Sequence, residues 1–164
     1  MRRPHHFVPS VFDIPYGQLW EEGKRALLYD IDNTLCPHGE PLPSPEVLGL
    51  LQQLQQQGFK VGLLSNNREG RVQQFNGQLQ LPSRYRARKP LTRKIKALLA
   101  EMAVPPAEAV LVGDQIFTDV WCGHRAGLTT VLVAPFSTRD LWTIHLKRIP
   151  ERWLLRRWKL SAQR

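Results

Sequence analysis

Short runs of consecutive apolar residues alternate along this chain with stretches in which apolar positions recur every three or four residues. The first kind suits strands buried on both faces of a sheet, and the second suits amphipathic helices. Strands are expected near 25 to 30, 59 to 64, 84 to 87, 109 to 113 and 129 to 133. Helices are expected at about 45 to 57 and 68 to 78, with another beginning near Leu91. Pro45 fits the first turn of the first of these, Val47, Leu50, Leu51 and Leu54 keep the helical spacing, and Gly58 would end it. The glutamines from Gln52 to Gln57 read as its solvated face, not as a disordered tract. Strand and helix in repeated alternation predict an α/β fold, a mainly parallel sheet with right-handed crossovers and helices on both faces.

The polar residues that end the strand runs carry the chemistry. Ala26-Leu27-Leu28-Tyr29 leads into Asp30-Ile31-Asp32-Asn33-Thr34, two carboxylates two positions apart. In a strand such positions share a face, so the carboxylates repel unless a cation, a shared proton or a phosphate-handling reaction uses them. Val61-Gly62-Leu63-Leu64 ends in Ser65-Asn66-Asn67, short groups able to hydrogen-bond phosphate oxygens. Lys89-Pro90 brings an ammonium, and Ala109-Val110-Leu111-Val112-Gly113 runs into Asp114, with Asp119 five positions on. In an open parallel sheet these strand ends converge on one crevice. Taken singly, each later group has a plain alternative: Ser65 to Asn67 a polar turn, Thr34 a cap, Asp114 a turn aspartate, Lys89 one basic residue among many. No Gly-rich run ending in Gly-Lys-Ser/Thr offers a nucleotide P-loop instead.

Order and chemistry together resemble the haloacid dehalogenase superfamily, whose four motifs match Asp30-Ile-Asp32-Asn-Thr34, Ser65, Lys89 and Gly113-Asp114 through Asp119. The chain is more closely similar to the YqeG-like branch of subfamily IIIA, to which the organellar phosphatidylglycerophosphate phosphatases are related. That match rests on Arg86-Ala87-Arg88-Lys89-Pro90, Gly113-Asp114-Gln115, Thr118-Asp119-Val120 and Arg125-Ala126-Gly127. The resemblance implies a Rossmann-like phosphatase fold and a phosphomonoester hydrolase. Asp30 would be the nucleophile and Asp32 the general acid and base. Lys89 would offset the substrate's charge, and Thr34, Ser65, Asn66 and Lys89 would bind phosphate. Mg²⁺ would be held by Asp30 and Asp114, by the Asp32 backbone carbonyl, and by Asp119 directly or through water; Asp119 could instead orient Lys89. Phosphatidylglycerophosphate is the implied substrate, with nucleic-acid ends, sugar phosphates or a non-catalytic RNA or ribosome adaptor as rivals.

Length and charge refine this picture. The 164 residues suit one domain over 1–138, with a basic, Trp-containing helical segment over 139–164 packed on it or extending from it. Asp30 and Ser65 are 35 positions apart, and Ser65 and Lys89 are 24 apart. A folded cap needs roughly 50 residues or more. No large cap domain is therefore expected, and an open site suits a large or anchored phosphate.

The net charge of +9 is concentrated in residues 84 to 96, with seven Lys/Arg and no acid, and in 139 to 164, with eight Lys/Arg against Asp140 and Glu151. The first cluster would draw an anionic substrate toward Lys89. The second interleaves Trp142, Trp153 and Trp158 with Lys147, Arg148, Arg152, Arg156, Arg157 and Lys159. It suits peripheral contact with an anionic membrane or simple packing on the domain. Nucleic acid is a further reading that composition leaves open and no recognised motif supports. The oligomeric state is not legible. Cys36 and Cys122 make no disulfide framework, and with no signal peptide or spanning segment in view the expected location is cytoplasmic, peripheral at the membrane's inner face or on the matrix side of an organelle. Cys36-Pro-His38 and Cys122-Gly-His124 invite a zinc reading, which the resemblance weakens, because the structural zinc loop of some subfamily IIIA phosphatases lies between the second and third motifs, where this chain has no cysteine.

Overall fold

A computed structural model of the chain describes residues 3–136, 153–155, 157 and 158. Its centre is a six-stranded sheet in which every pairing is parallel. In chain order the strands are β1 (His6–Val8), β2 (Ala26–Tyr29), β3 (Lys60–Leu64), β4 (Ser83–Arg84), β5 (Ala109–Gly113) and β6 (Thr129–Val133). The helices are α1 (Tyr16–Glu21), α2 (Pro45–Gln56), α3 (Glu69–Asn76), α4 (Arg93–Glu101) and α5 (Trp121–Ala126).

Strand order across the sheet is β1-β6-β5-β2-β3-β4. The chain steps outward from β2 to β3 and β4, then returns to the other side of β2 to lay down β5 and β6. The reversal lies between β2 and β5, so the loops leaving these two strands diverge and open a crevice at their carboxyl ends. Asp30 follows β2 and Asp114 follows β5.

Alternation along each strand sorts the core into two layers. Leu27, Tyr29, Val61, Leu63, Val110 and Val112 face one way and meet Leu19 of α1, Val47, Leu51 and Leu54 of α2, and Val72 and Phe75 of α3. Ala26, Leu28, Leu64, Ala109 and Leu111 face the other and meet Ile95, Leu98 and Leu99 of α4 and Cys122 and Ala126 of α5. The fold is thus a doubly wound α/β layer structure. The segments between β2 and β3 and between β3 and β4 contribute α2 and α3 to the first layer, and no large cap rises from either.

Helix α2 starts where the sequence places it: the Ser44 hydroxyl accepts from the Val47 N–H at 3.3 Å and Pro45 takes the first turn. Its end is set by Gly58, at φ 99°, two residues past the helix. Two other expectations need adjustment, and two elements lie beyond what the pattern predicts. The strand expected over 84 to 87 is only Ser83–Arg84, because Arg86 turns into the left-handed region at φ 44° and leaves the ladder. Helix α4 begins at Arg93, since Leu91 N–H first closes a turn onto the Arg88 carbonyl at 2.9 Å. The edge strand β1 and the short α1 were not anticipated.

Of the C-terminal segment, Leu154, Leu155 and Trp158 pack with Phe7 against Ile116, Val120 and Leu132, while Trp153 is exposed and carries the Arg157 guanidinium 5.2 Å from its ring. Trp142, Lys147, Arg148, Pro150, Arg152, Arg156 and Lys159 lie outside the described residues. Among the described residues no helix is long and apolar enough to cross a membrane.

Candidate active site

Asp30 leaves β2 with its N–H bonded to the Val112 carbonyl at 2.9 Å, so the nucleophile candidate is still tied to the neighbouring strand. Across the crevice, Gly113 ends β5 and a π-helical turn over Ile116–Val120 carries Asp119 back over the strand end. A Cβ on Gly113 would lie 2.2 Å from the Asp119 Cγ, so only glycine allows this approach. Widened turns of this kind recur at functional sites because they redirect a side chain without ending the helix.

Lys89 closes the arrangement. Its ammonium donates to Asp30 Oδ1 and to Asp119 Oδ1, each at 2.6 Å, and its side chain is only 2% exposed. The loop bearing it is fixed from the β3 side, where the Asn66 side-chain oxygen accepts from the Lys89 N–H at 2.8 Å. The Ser65 carbonyl also accepts from the Ala87 N–H at 2.9 Å. The other oxygen of Asp119 accepts from the Gln115 N–H at 3.1 Å and the Thr118 hydroxyl at 3.3 Å, so this carboxylate is held on both sides.

Asp30, Asp114 and Asp119 each offer a carboxylate oxygen within 4.8 Å of the others, and all three are buried. Three carboxylates against one ammonium leave a formal deficit of two positive charges, which a divalent cation would balance. Hard oxygen donors suit a hard cation such as Mg²⁺ or Ca²⁺. The imbalance is visible in Asp30 itself, whose carboxyl is pushed up to about 6 by burial, lowered in part by Lys89, and raised further by Asp119 and Asp32. Burial opposes the charge on Lys89, but the Asp119 and Asp30 carboxylates outweigh it and hold the ammonium above its ordinary value.

Asp32 stands apart from this cluster. Arg71 Nη2 donates to its Oδ1 at 2.9 Å and the Gly39 N–H reaches the same oxygen at 3.4 Å, while the Asn67 side-chain amide donates to Oδ2. Sequence reasoning singled out Asp32 but neither this role of Asn67 nor Arg71, which enters from α3 and shows itself only once α3 lies beside the loop after β2. An arginine in the first turn of the helix after Ser65-Asn66-Asn67 is the signal that was present.

Of the remaining candidates, Ser65 is buried and its hydroxyl accepts from the Asn67 N–H at 3.2 Å. Thr34 is buried with no hydrogen bond to its hydroxyl among the described residues. The two Cys-x-His pairs do not come together. Cys36 lies by Arg71 and Cys122 by the Leu91 carbonyl, burial pushes both thiols up to about 11, and His124 instead faces His5 and Thr130.

Comparison with known proteins gives this geometry its family. The probable phosphatase YqeG of Bacillus subtilis is 34% identical over 152 residues, covering 93% of this chain and 88% of its own. The chain belongs to the YqeG-like branch of the haloacid dehalogenase superfamily. The HAD-hydrolase-like family model matches residues 86–152, the part that contains Lys89, Asp114 and Asp119. The chloroplastic phosphatidylglycerophosphate phosphatase 1 of Chlamydomonas reinhardtii is 28% identical over 93% of this chain, which spans 61% of that relative's length. Among solved structures, a putative subfamily IIIA haloacid dehalogenase hydrolase from Legionella pneumophila shares the fold. Its TM-score is 0.53 at 19% identity, with 80% of this chain and 75% of that one covered. As a member of this superfamily the protein is a phosphatase of the haloacid dehalogenase type.

Proposed function

We propose that the protein is a Mg²⁺-dependent phosphomonoester hydrolase working through a phosphorylated Asp30, with a lipid phosphate of the phosphatidylglycerophosphate kind as substrate. The observation that supports it most is Lys89 bonded at once to Asp30 and Asp119 inside a buried carboxylate cluster at the sheet's switch point. Asp30 attacks phosphorus while the bond to the alcohol oxygen breaks, and Asp32 gives that oxygen its proton. Asp32 then takes a proton from water as the water attacks phosphorus and releases Asp30. Lys89 lessens the repulsion between the nucleophile and the phosphoryl oxygens and keeps Asp30 in place. Mg²⁺, held by Asp30, Asp114 and the Asp32 carbonyl, would supply charge neutralisation at the phosphoryl group. Both oxygens of Asp119 are already engaged, which favours its role as the orienter of Lys89 over direct ligation.

The lipid assignment draws on the Chlamydomonas relative, on the open site and on the basic stretch from Arg84 to Lys96, with contact at an anionic membrane surface as part of the same reading. Phosphate release across a panel of lipid, polynucleotide and sugar phosphates, with and without Mg²⁺, tests it. The lipid phosphate should be hydrolysed fastest, and only with metal. Preference for a polynucleotide end or a sugar phosphate would replace the substrate, and metal-independent turnover would remove the Mg²⁺ role.

A further inference from the structure

Two separate sets of cations serve the two motif carboxylates. Lys89 is spent on Asp30 and Asp119, whereas Arg71 meets Asp32. Arg71 is itself tightly framed. Its Nη2 bonds Asp32 Oδ1 at 2.9 Å and lies 3.4 Å from the Cys36 Sγ, its Nη1 reaches the Pro41 carbonyl at 3.4 Å, and its guanidinium carbon sits 5.5 Å from the Phe75 ring one turn along α3. Val72 and Phe75 anchor that helix in the core. The guanidinium therefore connects a fixed helix to both the Asp32 side chain and the loop that follows it, a task for a planar fork of donors that a single ammonium cannot perform.

We propose that Arg71 is a positioning residue that aims Asp32 at the oxygen of the departing alcohol. The role rests on reading Asp32 as the acid and base of a phosphatase cycle. Without Arg71, Oδ1 keeps, among the described residues, the long Gly39 N–H contact at 3.4 Å and the His38 imidazole at 3.9 Å, and the carboxyl group loses the short bond that fixes its plane. Asn67 holds the other oxygen, so Arg71 tunes orientation more than it fills a vacancy. The step concerned is the first one: Asp30 bonds to phosphorus, the phosphorus–alcohol bond breaks, and the Asp32 proton passes to the alkoxide. An alkyl alkoxide needs that proton, whereas a nitrophenolate leaves without it. Loss of Arg71 must therefore be felt according to the leaving group.

The test compares kcat/KM for glycerol phosphate and para-nitrophenyl phosphate, since this ratio stops at the irreversible departure of the alcohol. Arg71→Ala should lower it about 10²-fold for the alkyl ester, the lower end of what general acid catalysis supplies, and about tenfold less for the aryl ester. Arg71→Lys should recover part of the alkyl loss. In an Asp32→Asn background Arg71→Ala should add little, because the two act as one unit. Equal losses on both esters, or none on either, would overturn the role of Arg71 while leaving the phosphatase site standing. If Arg71→Ala fails to fold, Arg71→Lys decides by the same ester comparison. Turnover persisting in Asp30→Asn would instead overturn the site itself, and this role with it.

Discussion

Replacing Lys89 by Met removes a cation bonded to both Asp30 and Asp119 and leaves a side chain of similar length and flexibility in its place. The side chains of Lys89 and Asp119 are each 2% exposed and that of Asp30 is 11%, so water has little room to take the ammonium's place. Breaking a buried ion pair by deleting one partner costs about 3–5 kcal/mol, because the other charge is left uncompensated. For a domain of this size each kcal/mol moves the melting temperature by about 2–4 °C, which predicts a fall of about 6 to 20 °C in chelator. The formal deficit at the cluster grows from two positive charges to three, so Mg²⁺ should raise the melting temperature more in the variant than in the wild type. Saturation a hundredfold over the dissociation constant would return about 2.7 kcal/mol. Thermal unfolding in EDTA and in Mg²⁺ measures both quantities. A variant as stable as wild type in EDTA, or an equal metal effect in the two proteins, would refute the electrostatic account of the cluster.

Gly113→Ala should destabilise the fold by about 1–3 kcal/mol and depress kcat/KM, because its Cβ would displace Asp119 from Lys89. Gly123→Ala, whose Cβ would meet Thr130 Cγ2 at 2.3 Å away from the cluster, should lower the urea midpoint but leave the folded enzyme's kcat/KM near wild type. Asp30 keeps a proton in the folded chain up to about 6 that the unfolded chain loses near 3.8. In that window the folded state binds more protons, so the stability of metal-free protein should fall as pH rises, by about 3 kcal/mol in total. Urea unfolding across the window checks this, and an unchanged pH slope in Asp30→Asn would contradict it.

The fold was legible where buried strands are long and continuous. Ala109–Gly113 and Thr129–Val133 stand where the apolar runs place them, and α2 announces itself through Ser44, Pro45 and its leucines. Strand β1 was not legible, because His6–Val8 is a three-residue edge strand whose place depends on pairing with β6. The segment after Arg84 misled because residues of ordinary type, Arg86 and Arg88, adopt left-handed conformations at φ 44° and 54° that no local signal marks. At the site, Asp30, Lys89, Asp114 and Asp119 were readable as strand-end groups in a characteristic order. Arg71 and the Asn67 amide were not, since their tie to Asp32 is made only by tertiary packing between α3 and the loop after β2. Charge balance was likewise invisible in the sequence, which lists carboxylates without saying which cation each one meets.

The proposed function has Asp30 carry the phosphoryl group. It is tested most directly by mixing enzyme, Mg²⁺ and a phosphate monoester, quenching in acid within a turnover, and locating the phosphoryl group by peptide mass spectrometry. The account predicts a hydroxylamine-sensitive acyl phosphate on the peptide containing Asp30, absent from Asp30→Asn, which should also release no phosphate. A phosphoryl group on any other residue, or steady turnover by Asp30→Asn, would contradict it.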